Sequence, residues 1–273
     1  MPDITSNGIT LHHRDTGGEG RPVVLIHGWP LSGASWAPQV SALTSAGYRV
    51  VEYDRRGFGA SDKPESGYDY DTLAADLAGL LDALDLRDVA LVGFSMGGGE
   101  VARYLATYGD ERVAQAVLAA AVPPYLLQTP DNPDGGLSDA EVSDMQREVA
   151  EDRAAFLDDF TTGFFSVDGE LKVTEEERRQ ALALQEPARD EALVACIDSF
   201  ARTDFRADLE QIAVPTLVIH GDGDGVVPFE VSGKRSAEAI ADSTLVVVEG
   251  APHGLNVSHE REFNAALIDF LGS

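Results

Sequence analysis

Six short apolar runs recur along the chain: "PVVLIHG" (22–28), "YRVVEYD" (48–54), "VALVGF" (89–94), "VAQAVLAAAV" (113–122), "PTLVIHG" (215–221) and "STLVVVEG" (243–250). Runs apolar on both faces suit strands of a parallel sheet that is covered by helices on each side. Helical stretches lie between them, clearest at "VARYLATYG". There Val101, Tyr104, Leu105 and Tyr108 form one stripe and Gly109 supplies the stop. The opening "ITSNGITLHHRD" reads as a strand–Asn-Gly–strand hairpin at the sheet's edge. The fold class is α/β.

One region breaks the alternation. Between Pro123 and about Arg206 no strand is apparent, only turn signals such as "TPDNPDGG" and charged helical segments. The expected organisation is a sheet core made of residues 1–123 and 207–273, with residues 124–206 as a helical insertion over it. The net charge of −27 argues against nucleic acid as a partner, because binding it requires a cationic footprint. The same charge describes a well-solvated surface and raises the question of adaptation to salt. No basic-apolar leader is apparent, and no apolar run approaches the roughly 18 residues of a membrane span. A cytoplasmic protein without membrane association is expected. The single cysteine, Cys196, excludes an intramolecular disulfide or a cysteine metal cluster; in "EALVACIDSF" it reads as a small buried side chain.

Within "GFSMGGGE" (93–100), Ser95 follows one predicted strand directly and precedes a helix. The bare Gly-x-Ser-x-Gly pattern settles little, but this context predicts a strained strand–turn–helix elbow that lifts a hydroxyl above the sheet. Side chains at Gly93 and Gly97 would meet neighbouring backbone, while Gly98 and Gly99 let the helix pack closely. A plain helix cap would explain the serine but not the glycines. A serine hydroxyl is a weak nucleophile until a base takes its proton. Of six histidines, His27 and His220 end apolar strands, His12 and His13 sit in the hairpin, and His259 opens a polar helix start. His253, in "GAPHGLN", occupies a loop between Pro and Gly where core packing gives no reason for it. The acid that orients the imidazole should follow a strand between these two residues, and "HGDGDGVVP" offers both Asp222 and Asp224. Spacing does not choose between them.

Taken together, "HGWPLSGASW", "YDRRGFGASDKP", "GFSMGGGEVARY", "HGDGDGVVP" and "GAPHG" resemble the α/β-hydrolase superfamily, and within it the cofactor-free haloperoxidase and aryl esterase family. The resemblance covers nearly the whole chain and is weakest across 124–206. It implies a triad of Ser95, Asp224 and His253, with Asp222 structural. It implies an oxyanion hole formed by the backbone N–H groups of Trp29 and Met96; Pro30 has no N–H to offer. It also implies an acyl pocket floored by Val122, Val226 and Phe229 and roofed by aromatic residues of the insertion, for which "FLDDFTTGFF" offers Phe160 and Phe164, one helical turn apart; Phe156 and Phe165 read instead as ordinary packing of the insertion onto the sheet. The Trp29 indole reads equally as pocket lining or core.

The activity so implied is hydrolysis of small carboxylic esters through an acyl-enzyme, with perhydrolysis when hydrogen peroxide replaces water. No metal or other cofactor is implied. Lactone or lactam hydrolysis on the same triad, or a hydrolase-fold ligand receptor with little turnover, are the alternatives. Relatives of this kind form trimers or hexamers, so a homo-oligomer is expected.

Overall fold

The structure, a computed structural model, describes residues 3–273. The opening hairpin forms where expected, β1 (Ile4–Ser6) and β2 (Ile9–Leu11) joined through Asn7 and Gly8 at φ 46° and 76°. These left-handed values are what a two-residue hairpin loop requires. The hairpin does not edge the main sheet, however. It pairs only with itself, and Ser6 Oγ donates to Asp76 O at 3.1 Å on the helix beneath. The edge strand is instead β3 (His13–Asp15).

The chain then lays down β4 (Pro22–Ile26), a single turn of 3-10 helix at Gly33–Trp36, α1 (Ala37–Ser45) and β5 (Arg49–Tyr53). Helix α2 (Tyr70–Ala83), capped by the Asp69 carboxylate, leads to β6 (Val89–Phe94), α3 (Met96–Tyr108) and β7 (Val113–Ala119). Next come α4 (Asp139–Glu151) and α5 (Arg153–Phe164), a short hairpin of β8 (Ser166–Val167) and β9 (Glu170–Leu171), then α6 (Glu175–Ala183) and α7 (Asp190–Arg202). Reciprocal capping boxes, Ser138 with Glu141 and Thr174 with Glu177, start α4 and α6. The remaining elements are α8 (Arg206–Leu209), β10 (Thr216–Gly221), α9 (Gly233–Ala239), β11 (Ser243–Val248), α10 (Leu255–Ser258) and α11 (Glu260–Leu271).

All six apolar runs are strands of one seven-stranded sheet, ordered β11-β10-β7-β6-β4-β5-β3, in which only β3 runs antiparallel. Alternate residues feed opposite cores. Val24 and Ile26 face α2, α3 and α7; Val23 and Leu25 face the layer containing Trp36, Leu43 and Phe263. The run 113–122 stops being strand after Ala119 because Ala120 takes φ 42°. Tyr108 departs from the expected stripe: it is 46% exposed and stacks on Tyr104. The hairpin β8–β9 also departs from the expectation of a strand-free region, although Asp168 and Gly169 carry the positive φ values (51° and 79°) of an Asp-Gly turn. No helix among the described residues is long and apolar enough to cross a membrane.

Candidate active site

At the C-terminal end of β6 the chain turns sharply into α3, and Ser95 takes φ 54°, ψ −119° at that corner. A non-glycine residue held there stores on the order of 1–3 kcal/mol of strain, which the surroundings must sustain. They do so by contact. A Cβ on Gly93 would lie 2.3 Å from the Gly97 carbonyl oxygen, and one on Gly97 would lie 2.4 Å from the Ile26 carbonyl oxygen. The Ser95 N–H donates to Ala119 O at 2.9 Å, which ties the corner to the neighbouring strand.

His253 lies on the loop after β11 and its Nε2 is 2.9 Å from Ser95 Oγ. Its Nδ1 is 2.7 Å from Asp224 Oδ2. The carboxylate can only accept, so Nδ1 carries the proton and Nε2 is left free to accept from the serine hydroxyl. All three residues are buried. The other Asp224 oxygen accepts from the N–H groups of Val226 (2.9 Å) and Val227 (2.8 Å). Burial alone would raise the Asp224 carboxyl, but its electrostatic interaction with His253 and hydrogen bonds from His220 and His253 hold it below the usual carboxylate range. Asp222 is tied to backbone instead: its Oδ1 accepts from Gly250 N at 2.6 Å, closing the turn between the two strand ends.

The other histidines are accounted for locally. His220 Nε2 lies 2.8 Å from Val227 O and 3.2 Å from Asp224 Oδ2. Burial pushes His27 well below its ordinary value, and its Nε2 accepts from Arg55 N at 3.0 Å. His12 meets Asp3, His13 is buried in β3, and His259 meets Ser258. Cys196 is buried on α7, where burial pushes its thiol up to about 12, far from nucleophilic service. Among the described residues, no three of the His, Cys, Asp and Glu side chains converge as metal ligands would.

Ser95 opens into a cavity of about 240 Å³ lined by apolar side chains. Val122, Val226 and Phe160 are in its wall, and Trp29 lines it too. Phe164 and Phe229 do not line it. Phe164 crosses edge-on to the His253 ring (centroids 5.0 Å apart) and packs against Phe94, so it walls the histidine on the far side. Phe229 turns away and lies 5.8 Å from the His220 ring. The places expected for them are taken by Leu126, Leu137, Met145 and Phe200, with Gly225 and Val227 beside Val226. Phe156 stacks on Phe160 and meets Trp29, and Phe165 is core, both in packing roles.

Trp29, three residues past β4, joins Pro30 through a cis peptide bond; Met96 opens α3 next to Ser95. Beneath both is a buried polar cluster. The Arg55 guanidinium pairs with Glu100, Tyr53 donates its hydroxyl hydrogen to Glu100 Oε2 at 2.7 Å, and Tyr70 donates to Met96 O at 3.0 Å. Arg55 lies within the motif "YDRRGFGASDKP", but its partner is 45 residues away and the motif alone does not pair them.

The chain matches the sequence profile of the alpha/beta hydrolase fold family across residues 21–260. It is similar to a non-heme chloroperoxidase from Kitasatospora aureofaciens, 43% identical over 99% of each chain. It is 38% identical to a bifunctional esterase/perhydrolase from Acinetobacter calcoaceticus, over 98% of each. Among solved structures it superposes on a bromoperoxidase from Bacillus anthracis with a TM-score of 0.95, at 53% identity, covering 97% of this chain and 96% of the other.

Proposed function

The chain belongs to the alpha/beta hydrolase fold family, and we propose that within it this protein is a serine esterase with perhydrolase activity. The observation that carries this reading is the unbroken hydrogen-bond chain from Asp224 through His253 to Ser95 Oγ at the wall of an apolar cavity. Ser95 Oγ attacks the ester carbonyl carbon as its proton passes to His253 Nε2. The Trp29 and Met96 N–H groups receive the negative charge that develops on the carbonyl oxygen, Met96 aided by the positive end of α3. Collapse expels the alcohol, which takes the proton back from His253. Asp224 remains ionised and stabilises the imidazolium. Water then attacks the acyl-enzyme with His253 as base and the carboxylic acid leaves. Hydrogen peroxide in place of water gives a peracid, and that peracid oxidises halide in solution.

The same reading assigns small acyl groups to the cavity and treats residues 124–206 as a helical cap over a core of 1–123 and 207–273. It places the protein in the cytoplasm as a homo-oligomer. Relatives that carry esterase, perhydrolase and haloperoxidase names support both activities. The test is hydrolysis of phenyl acetate, with and without peroxide, by the wild type and Ser95→Ala. We expect the variant to fold normally and lose on the order of 10⁴–10⁶ in kcat for both products. Undiminished turnover in Ser95→Ala refutes the reading.

A further inference from the structure

The two donors assigned to the oxyanion stand on different elements, Trp29 beyond β4 and Met96 at the head of α3. One side chain reaches both elements. Arg55 Nη2 donates to His27 O at 2.6 Å, two residues before Trp29, and Arg55 Nε donates to Glu100 Oε1 at 2.5 Å, one turn beyond Met96. The backbone N–H of Arg55 also donates to His27 Nε2 at 3.0 Å, so a single residue grips this segment twice. Tyr53 holds the second Glu100 oxygen. Arg55 and Glu100 are each 1% exposed.

The spacing that this bridge spans is tight. With no side chain at Gly97, α3 approaches the end of β4 so closely that a Cβ there would lie 2.4 Å from Ile26 O and 3.0 Å from His27 O. Backbone faces backbone, and the carbonyl of His27 is the atom that Arg55 holds.

We propose that Arg55, anchored by Glu100, is a positioning residue that sets the separation of the two oxyanion donors, and so acts on the tetrahedral state and not on the resting substrate. The proposal rests on the serine-esterase reading above. Stability does not demand this pair, since replacing a buried ion pair by neutral groups of similar volume is often neutral or stabilising. What neutral groups cannot do is hold a carbonyl on one element and a carboxylate on another at a fixed distance. The planar guanidinium fork does both at once. Without it the 27–29 segment shifts relative to Met96, and a 1 Å misplacement can cost about 10²-fold in rate. The cavity walls contributed by Val122, Leu126, Phe200 and Val226 lie on other segments.

The test uses the full chain as wild type, Ser95→Ala, Arg55→Lys and the double variant Arg55→Met with Glu100→Gln. The double variant should fold, with a cooperative melting transition lowered by loss of the bond to His27 O, and lose about 10²-fold in kcat on phenyl acetate, with KM nearly unchanged. It should bind benzeneboronic acid, which forms a tetrahedral adduct on the serine oxygen, more weakly by a similar factor. Arg55→Lys keeps the charge opposite Glu100 but not the fork, and should show the same pattern at smaller amplitude. A folded double variant with wild-type kcat overturns the proposal, as does a fall in kcat without weaker boronate binding. If the double variant does not fold, wild-type kcat and boronate affinity in Arg55→Lys overturn it. A Ser95→Ala variant as active as wild type removes the esterase reading and this proposal with it, whereas losses in the Arg55 variants leave that reading intact.

Discussion

Replacing Asp224 by Asn changes one atom and should nearly silence the enzyme. The side chain accepts from Val226 N and Val227 N through Oδ1, and from His253 through Oδ2, with His220 Nε2 3.2 Å away. An Asn has one oxygen to share among these donors. Turned so that its oxygen meets His253, its NH₂ would face the backbone N–H groups of Val226 and Val227, and the buried Val227 donor left unsatisfied costs about 1–3 kcal/mol. The other orientation keeps both backbone bonds and presents NH₂ to His253 Nδ1. That forces the ring proton onto Nε2, facing Ser95, where an acceptor is needed. A tautomer reversal of this kind lowers kcat by ~10⁴, or about 5.4 kcal/mol at 1.36 kcal/mol per tenfold. In Asp222→Asn, by contrast, the amide oxygen still accepts from Gly250 N, so activity should stay within about threefold of wild type. Phenyl acetate turnover, with circular dichroism to verify folding, checks both variants. An Asp224→Asn enzyme that keeps a tenth of wild-type kcat, or an Asp222→Asn enzyme that is the worse of the two, refutes the reasoning.

Two further outcomes concern stability. With a net charge of −27 on one chain, raising sodium chloride from 0.1 to 1 M shortens the Debye length from about 10 Å to about 3 Å, so the melting temperature should rise over the first few tenths molar; a flat or falling curve rejects this. Asp15 accepts from Arg49 Nη2 (2.5 Å) and Nε (3.0 Å); burial works to raise its carboxyl, yet these bonds hold it below the ordinary 3.8. A carboxyl depressed in the folded state contributes stability above the unfolded value and loses it as the pH falls through the folded one. Asp15→Asn should therefore melt below wild type at neutral pH, with a gap that narrows in acid below pH 3.8, and thermal melts showing a constant gap would contradict the assignment.

The six parallel strands were legible because they read as short apolar runs, unlike the polar edge strand β3, and Ser95 because of the glycines around it. Other features depended on where distant segments meet. Asp222 and Asp224 sit two residues apart in one turn, and only the position of His253 and the N–H groups of Val226 and Val227 separate their roles. Phe160 and Phe164 share a helical face, yet one lines the cavity and the other packs on His253. Leu126, Leu137, Met145 and Phe200 reach the cavity from segments scattered through the charged region; Met145 and Phe200 lie on the apolar stripes of α4 and α7, and such a stripe marks a buried face without telling core from cavity wall. The β8–β9 turn, in contrast, carried a readable "VDGE" signal that the surrounding charge obscured.

The contact between Phe164 and His253 bears on how this site can diversify. Phe164 ends α5, its carbonyl accepts from Gly254 N at 2.9 Å, and a Cβ on Gly254 would lie 2.5 Å from its ring. The segment that supplies Phe160 to the cavity is thus clasped to the loop that carries His253. Exchange of α5 between relatives would transplant part of the histidine's own housing along with any new preference for substrate. A change to α5 that alters Phe160 and Phe164 together therefore alters both the cavity wall and one side of the aromatic contact on His253.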